Sequence, residues 1–156
     1  MPRPALTPLA RRSMIRIRPA TPEDATAVAE LLCELGYPVG ADAAAERVRD
    51  LQATGCDPVY VAVESERLLG LVALHWAPML HLEKPVARIT ALVVSAAARR
   101  HKVGHRLIDH AVVAARQAGC ERVELTSAND RGEAHAFYRA QGFEQSSLRF
   151  HRALGS

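Results

Sequence analysis

The sequence predicts a single mixed α/β domain built around one central sheet. Its length of 156 residues is typical of one domain, and 49% of those residues are hydrophobic. With one Trp, three Tyr and three Phe, the core is expected to consist mostly of Ala, Val and Leu. Strand-like and helix-like segments follow one another in the order β-α-α-β-β-β-α-β-α-β, which is typical of such a fold.

The chain is expected to begin with a strand and a well-marked helix. Residues 14–20 alternate apolar and basic side chains, which indicates a strand. Thr21 is a suitable N-cap for the helix that follows, and Pro22 suits its first position. Gly36 is expected to end that helix.

A second helix and a β-hairpin are predicted next. Asp42 is a suitable N-cap for a helix that Gly55 closes. Residues 58–65 and 67–77 are rich in Val and Leu and indicate two strands of a hairpin that turns around Glu66.

The second half of the chain predicts three more strands and two more helices. Residues 86–95 indicate a long strand, and residues 103–118 an amphipathic helix that Gly119 ends. Another strand is predicted over residues 121–127 and a short helix over residues 132–142. Residues 146–154 are expected to form a closing strand.

The composition of the chain disfavours several classes of protein. The net charge of +3 and the few aromatic residues disfavour a nucleic-acid-binding protein. Cys33, Cys56 and Cys120 are odd in number and form no CxxC pair, so we expect a reducing cytoplasm, no disulfide framework and no metal site. No apolar run suits a secretory signal or a membrane span. Residues 1–13 are interpreted as a flexible extension that precedes a domain over residues 14–156.

A basic turn leads into the helix predicted over residues 103–118. Arg99, Arg100, His101 and Lys102 precede it, and Gly104 lies in its first turn. A helix N-terminus carries unpaired N–H groups and partial positive charge, so cations there suggest a site for an anion such as phosphate. The alternative is a solvated basic turn in which Gly104 serves only packing.

Two stretches resemble the GNAT superfamily of N-acetyltransferases. "LVVSAAARRHKVGHRLI" resembles the family's acetyl-CoA motif, in which Arg99 and Gly104 match the first Arg and the last Gly, and Leu92, Val93 and Val94 lie in the preceding strand. "ELTSANDRGEAHAFYRAQGFE" resembles the downstream strand–Asn–helix–Tyr–Gly-Phe segment. The resemblance covers about residues 14–154. It implies a mostly antiparallel sheet of six to seven strands, flanked by about four helices and splayed at the acetyl-CoA site.

The sequence departs from the family pattern at two places. Lys102 occupies a position that is glycine in the family motif, and a positive φ there would cost a non-glycine residue on the order of 1 kcal/mol or more. Asn129 precedes Tyr138 by nine residues rather than the family's usual seven, which puts its contact with the cofactor in doubt.

The resemblance implies transfer of an acetyl group from acetyl-CoA to a primary amine of a small molecule or peptide, by direct attack in a ternary complex. It also implies that a backbone N–H of Val93 or a neighbour stabilises the oxyanion. The residues predicted to bind the cofactor are Leu92, Val93, Val94, Arg99, Arg100, His101, Lys102, Val103, Gly104, His105 and Asn129. The competing interpretation, motivated by Lys102 and by the lack of an evident base, is a non-catalytic CoA-binding or regulatory domain.

Tyr138 matches the family tyrosine that protonates the departing thiolate. A phenol and a thiol have ordinary pKa values within about two units of each other, so this proton transfer is feasible. The alternative role for Tyr138 is that of a core aromatic beside Phe137. The general base stays unassigned, since the strand segment "ARITAL" offers no carboxylate.

The acceptor site is expected near the loops that follow the first helix and the second strand of the hairpin. Carboxylates and aromatic rings suit a cationic amine. The residues predicted to contact it are Tyr37, His75, Trp76, His81 and Glu83. Aminoglycosides, polyamines, amino acids and peptide N-termini all remain candidate acceptors, and a homodimer is possible.

Overall fold

A computed structural model of the chain describes residues 14–127 and 132–155. The strands are β1 (Arg16–Pro19), β2 (Val59–Glu64), β3 (Arg67–Ala77), β4 (Val86–Val94) and β5 (Arg122–Leu125). The helices are α1 (Ala25–Leu35), α2 (Ala41–Thr54), α3 (Val103–Gln117) and α4 (Gly132–Ala140). Short 3₁₀ turns at Pro22–Asp24 and Ala96–Ala98 lie ahead of α1 and α3. The predicted N-terminal extension and Asn129 lie outside the described residues.

One sheet runs through the described part of the chain, in the order β1-β2-β3-β4-β5. The first four strands pair antiparallel, and β5 pairs parallel to β4. This confirms the predicted mixed, mostly antiparallel sheet with four helices. The predicted number of six to seven strands is wrong for the described residues, which form five.

The closing strand predicted over residues 146–154 does not form. That segment is described but carries no helix or strand. Its apolar side chains Leu148, Phe150 and Leu154 are all exposed. Alternation along the chain is a local property, whereas a strand also needs a neighbour to pair with. This segment has no strand partner among residues 14–127 and 132–155.

The predicted splay of paired strands is also not found. β5 pairs in register with β4 from Val86↔Arg122 to Ile89↔Leu125 and then ends. β4 continues to Val94. The last part of β4 therefore has no strand partner on that side in the part of the chain that the structure describes.

The helices cover both faces of the sheet. One core cluster joins α1 and α2 to the first face and includes Val28, Leu31 and Val61. The other joins α3 to the second face and includes Leu74 and Leu107. No helix within the described ranges is long and apolar enough to cross a membrane.

A β-bulge at Thr90 divides β4 into two parts. Ala73 pairs with Ala91 but Leu74 pairs with Ile89, so Thr90 has no partner in β3. A bulge shifts the side-chain alternation by one residue. Ile89 and Leu92 consequently both contact the α3 cluster, three positions apart. The bulge lies where β5 ends, so it marks the start of the unpaired edge of β4.

Asp24 fixes the entry into α1. Its side chain is 8% exposed, and its two carboxylate oxygens accept hydrogen bonds from the Arg18 guanidinium at 2.8 and 2.9 Å. The backbone N–H of Thr21 donates to the same carboxylate at 2.8 Å. The pairing with Arg18, opposed by burial, lowers the pKa of Asp24. This ion pair ties β1 to the start of α1.

Two local predictions have different outcomes. The hairpin turn around Glu66 is confirmed, with Ser65 and Glu66 both at positive φ (45° and 65°), the geometry of a tight turn between twisted strands.

The predicted cap of α2 is wrong. The N-cap is Gly40, and Asp42 lies in the first turn, where its charge still complements the helix dipole.

Gly70 allows β3 to approach β4 closely beneath α3. A Cβ at Gly70 would lie 2.7 Å from the Val93 carbonyl oxygen and 3.1 Å from a Leu107 methyl group. The first of these atoms belongs to the backbone and cannot rotate away. Gly70 therefore allows the close spacing between β3 and β4, the strand that leads to α3.

We predict that Gly70→Ala destabilises the fold by about 1–3 kcal/mol, because the added methyl overpacks the β3–β4 contact. The free energy of unfolding in urea measures the change. The matched control is Gly132→Ala, because a Cβ there meets nothing within 4 Å and Ala favours a helix. A Gly70→Ala protein within a few tenths of a kcal/mol of the parent would contradict the close approach.

Candidate functional site

A cleft of about 920 Å³ lies between the end of β4, the first turn of α3 and α4. Its lining residues are Glu34, Leu35, Leu92, Val93, Val94, Arg99, Arg100, Lys102, Val103, Gly104, His105, Gly132, Glu133, Ala134, Phe137, Tyr138 and Gln141. Of the predicted cofactor-binding residues, only His101 and Asn129 are missing, and Asn129 lies outside the described residues. A smaller cavity of about 260 Å³ beside Cys120 contains none of the predicted site residues.

The first turn of α3 presents free backbone donors to this cleft. Lys102 is the N-cap, and no side chain caps the helix. The N–H of Arg106 donates to the Lys102 carbonyl at 3.1 Å. The preceding N–H groups, those of Val103, Gly104 and His105, have no acceptor within the helix. A 15-residue helix thus directs the positive end of its dipole into the cleft.

Three cationic side chains surround the same helix end. Arg99, Arg100 and Lys102 are exposed, and none of them forms an ion pair with any residue in the described ranges. His105 differs, since its ring contacts the Gln141 side chain and Asp109. The arrangement concentrates positive charge that no carboxylate of the described residues contacts directly, which suits a multiply charged anion.

The backbone of the basic turn is strained at two positions. Arg100 has φ 72° and Lys102 has φ 58°, both in the left-handed region. This region costs an L-residue roughly 1–2 kcal/mol relative to the right-handed one. Strain of this kind is found where ligand contacts require a particular path of the chain. The position that is glycine in the family motif thus has left-handed backbone here, with lysine in place of glycine.

Gly104 has a packing role. A Cβ at Gly104 would lie 3.2 Å from the ring of Phe137 and 3.6 Å from a Val94 methyl group. Its φ is not positive. The missing side chain at Gly104 therefore lets α4 pack against the first turn of α3. Because Phe137 and Tyr138 are neighbours in α4, this contact also positions Tyr138.

The unpaired edge of β4 faces the cleft with alternate backbone groups. The Val93 carbonyl approaches Gly70 of β3, and the Ser95 N–H donates to Leu69 at 2.8 Å. Backbone groups of successive residues in a strand point to opposite edges. The N–H of Val93 thus points to β3, and those of Leu92 and Val94 point to the free edge. Of the N–H groups predicted to stabilise the oxyanion, those of Leu92 and Val94 face the cleft, whereas that of Val93 points to β3.

Tyr138 lines the cleft and packs in the core at once. Its half-buried ring makes edge-to-face contacts with Phe137 (5.6 Å between centroids) and Phe143 (6.1 Å). The N–H of Phe143 donates to the Tyr138 carbonyl, which closes the helix end. These packing contacts therefore limit the motion of the Tyr138 ring, while the residue also lines the cleft.

Several lining residues are not among those that the sequence predicts to bind the cofactor, although Glu34 lies in a segment expected near the acceptor. Glu34 reaches the cleft from the end of α1, and its carboxylate accepts the backbone N–H of Ala96 at 3.0 Å. Glu133 and Gln141 reach it from α4. Glu34 lies 62 residues from its partner, so no local pattern indicates the contact.

The five residues predicted for the acceptor do not line this cleft. Tyr37 is 65% exposed in the loop after α1, and Trp76 packs against the α3 core cluster. His75 Nδ1 contacts the Asp57 carboxylate at 2.6 Å. His81 and Glu83 are exposed in the loop between β3 and β4. The last four residues lie at the end of the β3–β4 hairpin opposite to the basic turn.

Cys120 lines the smaller cavity, and its thiol is a group whose reactivity must be judged. It is half-buried between α3 and β5, and burial raises the pKa of its thiol. A raised pKa disfavours the reactive thiolate. This agrees with the sequence-based interpretation of Cys120 as a packed rather than a reactive cysteine.

Comparison with known proteins identifies relatives over most of the chain. The model of the acetyltransferase (GNAT) family matches residues 25–143. An aminoalkylphosphonate N-acetyltransferase of Salmonella typhimurium is 34% identical over 143 residues, which cover 88% of this chain and 90% of that protein. All of the lining residues given above fall within the family match.

Solved structures share the fold. An Agrobacterium tumefaciens protein assigned as an acetyltransferase is 26% identical, with a TM-score of 0.82 over 90% of this chain and 100% of that one. Aminoglycoside N-acetyltransferase AAC(6′)-Iy, in complex with CoA, is 17% identical, with a TM-score of 0.81 over 93% of this chain and 98% of that one.

We predict that Lys102→Gly is more stable than Lys102→Ala by about 1 kcal/mol, because both lose the charge but only glycine relieves the left-handed backbone. Urea unfolding measures the difference. The control pair is Arg106→Gly and Arg106→Ala, one turn into the helix, where Ala is expected to be the more stable by about 1 kcal/mol. Equal stability of the two Lys102 variants would contradict the strain.

Proposed function

The chain belongs to the GNAT family of acetyltransferases, and on that premise we propose that it transfers an acetyl group from acetyl-CoA to the primary amine of a small molecule. The family uses acetyl-CoA as donor. The observation that carries the proposal is the open N-terminus of α3, surrounded by Arg99, Arg100 and Lys102, at one end of a cleft that Tyr138 also lines. We further propose that the enzyme works in the cytoplasm, where Cys33, Cys56 and Cys120 stay reduced.

The pyrophosphate of CoA is proposed to bind at the first turn of α3. The N–H groups of Val103, Gly104 and His105 are unpaired within the helix, and backbone donors at a helix N-terminus suit phosphate oxygens. Arg99 and Arg100 can add charge-assisted hydrogen bonds. His101 and Asn129 stay in the proposal as further contacts; His101 does not line the cleft, and Asn129 lies outside the described residues.

The amide-rich pantetheine arm is proposed to pair with the unpaired edge of β4. Leu92 and Val94 direct their backbone groups to that edge, so they offer the donors and acceptors of a missing strand. When bound, acetyl-CoA supplies a thioester whose carbonyl carbon the amine attacks, while CoA leaves as the thiol. With the arm on this edge, the Leu92 N–H, close to the bulge, would be the donor to the thioester carbonyl oxygen.

Tyr138 is proposed to supply the proton that the departing sulfur takes. Its ring is held between Phe137 and Phe143, which limits its motion and keeps its position relative to β4 fixed. A positioned acid of this kind contributes typically about 10²–10⁴-fold to the rate. The base that removes the proton of the ammonium is not assigned to a residue.

The acceptor is proposed to enter from the end of the β3–β4 hairpin that is opposite to the basic turn. His75, Trp76, His81 and Glu83 lie at that end, and Tyr37, in the loop after α1, stays in the proposal as a further acceptor contact. Because the S. typhimurium relative is named for aminoalkylphosphonates, these compounds are the first acceptors to test. Amino acids, polyamines, aminoglycosides and peptide N-termini form the rest of the panel.

Release of the CoA thiol across this panel tests the proposal. We expect turnover with at least one amine, and a rise in melting temperature with CoA alone, since a ligand of the native state stabilises it. Binding of CoA without turnover on any amine would favour a non-catalytic CoA-binding domain. If CoA failed to raise the melting temperature at saturating concentration, the proposed donor site would be refuted.

We predict that Tyr138→Phe lowers kcat by about 10²-fold or more, because the proton donor is lost, while the Kd for CoA changes less than about threefold. Steady-state kinetics and calorimetry measure the two constants. The matched control is Tyr60→Phe. Tyr60 lies in β2, outside the cleft, and packs against His110 of α3, so this substitution should leave kcat unchanged. An unchanged kcat in Tyr138→Phe would remove its role as the acid.

A further inference from the structure

A second cluster of reactive side chains lies outside the cleft. Cys56, Asp57 and His75 each direct one potential metal ligand to a common point, and these ligand atoms all lie within 4.8 Å of one another. Asp57 Oδ1 contacts His75 Nδ1 at 2.6 Å, and the Cys56 thiol donates to Asp57 Oδ2 at 3.4 Å. None of the three lines the cleft. Of the three residues, only His75 has a proposed part in acetyl transfer, as one of the residues at the acceptor end of the β3–β4 hairpin.

The backbone holds the cluster in place. The N–H of Trp76 donates to the Cys56 carbonyl at 3.0 Å, and the N–H of Leu74 donates to the Pro58 carbonyl at 3.0 Å. These bonds extend the β2–β3 ladder past the start of β2, and they fix the loop against the strand that carries His75. The three side chains are thus brought together by paired backbone and not by a flexible surface loop.

A further hydrogen bond orients the carboxylate. The Thr54 hydroxyl donates to Asp57 Oδ2 at 2.6 Å, and the backbone N–H of Cys56 donates to the Thr54 oxygen at 3.2 Å. Carboxylates that bind metals are commonly held by such a neighbour. Oδ1, the oxygen that faces His75, is then the one available to an ion.

We propose that Cys56, Asp57 and His75 form a binding site for one divalent transition-metal ion of the zinc type. A thiolate, an imidazole and a carboxylate are the ligands that zinc prefers, whereas Mg²⁺ and Ca²⁺ prefer oxygen ligands alone. Zinc bonds of about 2.0–2.3 Å place tetrahedral ligands about 3–4 Å apart, so the donors need only small side-chain rotations. The His75 side chain is 46% exposed, which leaves the fourth position open to water.

Binding replaces protons with the ion. The Cys56 thiol loses its proton to solvent as the sulfur bonds to the metal, and neutral His75 binds the ion through the ring nitrogen that carries no proton. The ion then links the loop after α2 to β3. No oxidant or reductant takes part.

Zinc titration of the tag-free, reduced full chain against a chromophoric chelator tests the proposal. We expect one equivalent bound, and at least a tenfold loss of affinity in both Cys56→Ser and His75→Gln. The matched controls are Cys33→Ser and His151→Ala, which change an exposed cysteine and an exposed histidine elsewhere and should bind as the parent does. Parent-like affinity in Cys56→Ser and His75→Gln, or no binding in competition with the chelator, would overturn the site.

Cobalt provides a signature that depends on the ligand. Co²⁺ in the parent should give a thiolate-to-metal charge-transfer band that Cys56→Ser abolishes and that Cys33→Ser keeps. His75 is exposed, so His75→Gln is expected to fold; its circular dichroism without metal checks this, and zinc should raise the melting temperature of the parent but not of this variant. Absence of the thiolate band, or an equal thermal shift in both proteins, would reduce the cluster to an ion pair with no metal function.

Discussion

Positive charge without a direct ion pair in the described residues, gathered at the N-terminus of α3, is the constraint on which the site depends. Like charges repel, and three cationic side chains beside the positive end of a helix dipole raise the energy of the protein without a ligand. The turn that presents them adds left-handed backbone at Arg100 and Lys102. A bound anion with several charges offsets these costs at once. The same features that disfavour the turn in isolation therefore favour binding.

The sheet supplies the second part of the site. β5 stops opposite Ile89, and the bulge at Thr90 occurs at that level, so the remainder of β4 keeps an unpaired edge beside α3. Such an edge is normally a liability because it invites pairing with another chain. Here it borders the cleft, and the contact of Gly104 with Phe137 brings α4 over it. An extended ligand with amide groups fits an edge that is protected in this way.

The local features were predictable from the sequence, and the long-range contacts were not. Periodicity predicts α3 and the two strands that turn around Glu66, whereas the residues of the basic turn alone leave an anion site and a solvated turn both open. By contrast, alternation over residues 146–154 suggested a strand, but no pattern within a segment reports whether another strand lies beside it. Glu34 and Gln141 reach the cleft from α1 and from the end of α4, and these approaches depend on the tertiary arrangement. Cys56 and His75 are 19 positions apart, and only the β2–β3 register unites them.

Titration of the ¹⁵N-labelled protein with CoA and, separately, with pantetheine tests the central claim most directly, because the two ligands differ in the phosphate-bearing nucleotide. We predict that CoA shifts the backbone amide resonances of Val103, Gly104 and His105, and that pantetheine leaves these three unshifted while it affects Leu92 and Val94. The same three shifts with both ligands, or no shift at these amides when CoA binds, would contradict the assignment of the pyrophosphate to the start of α3.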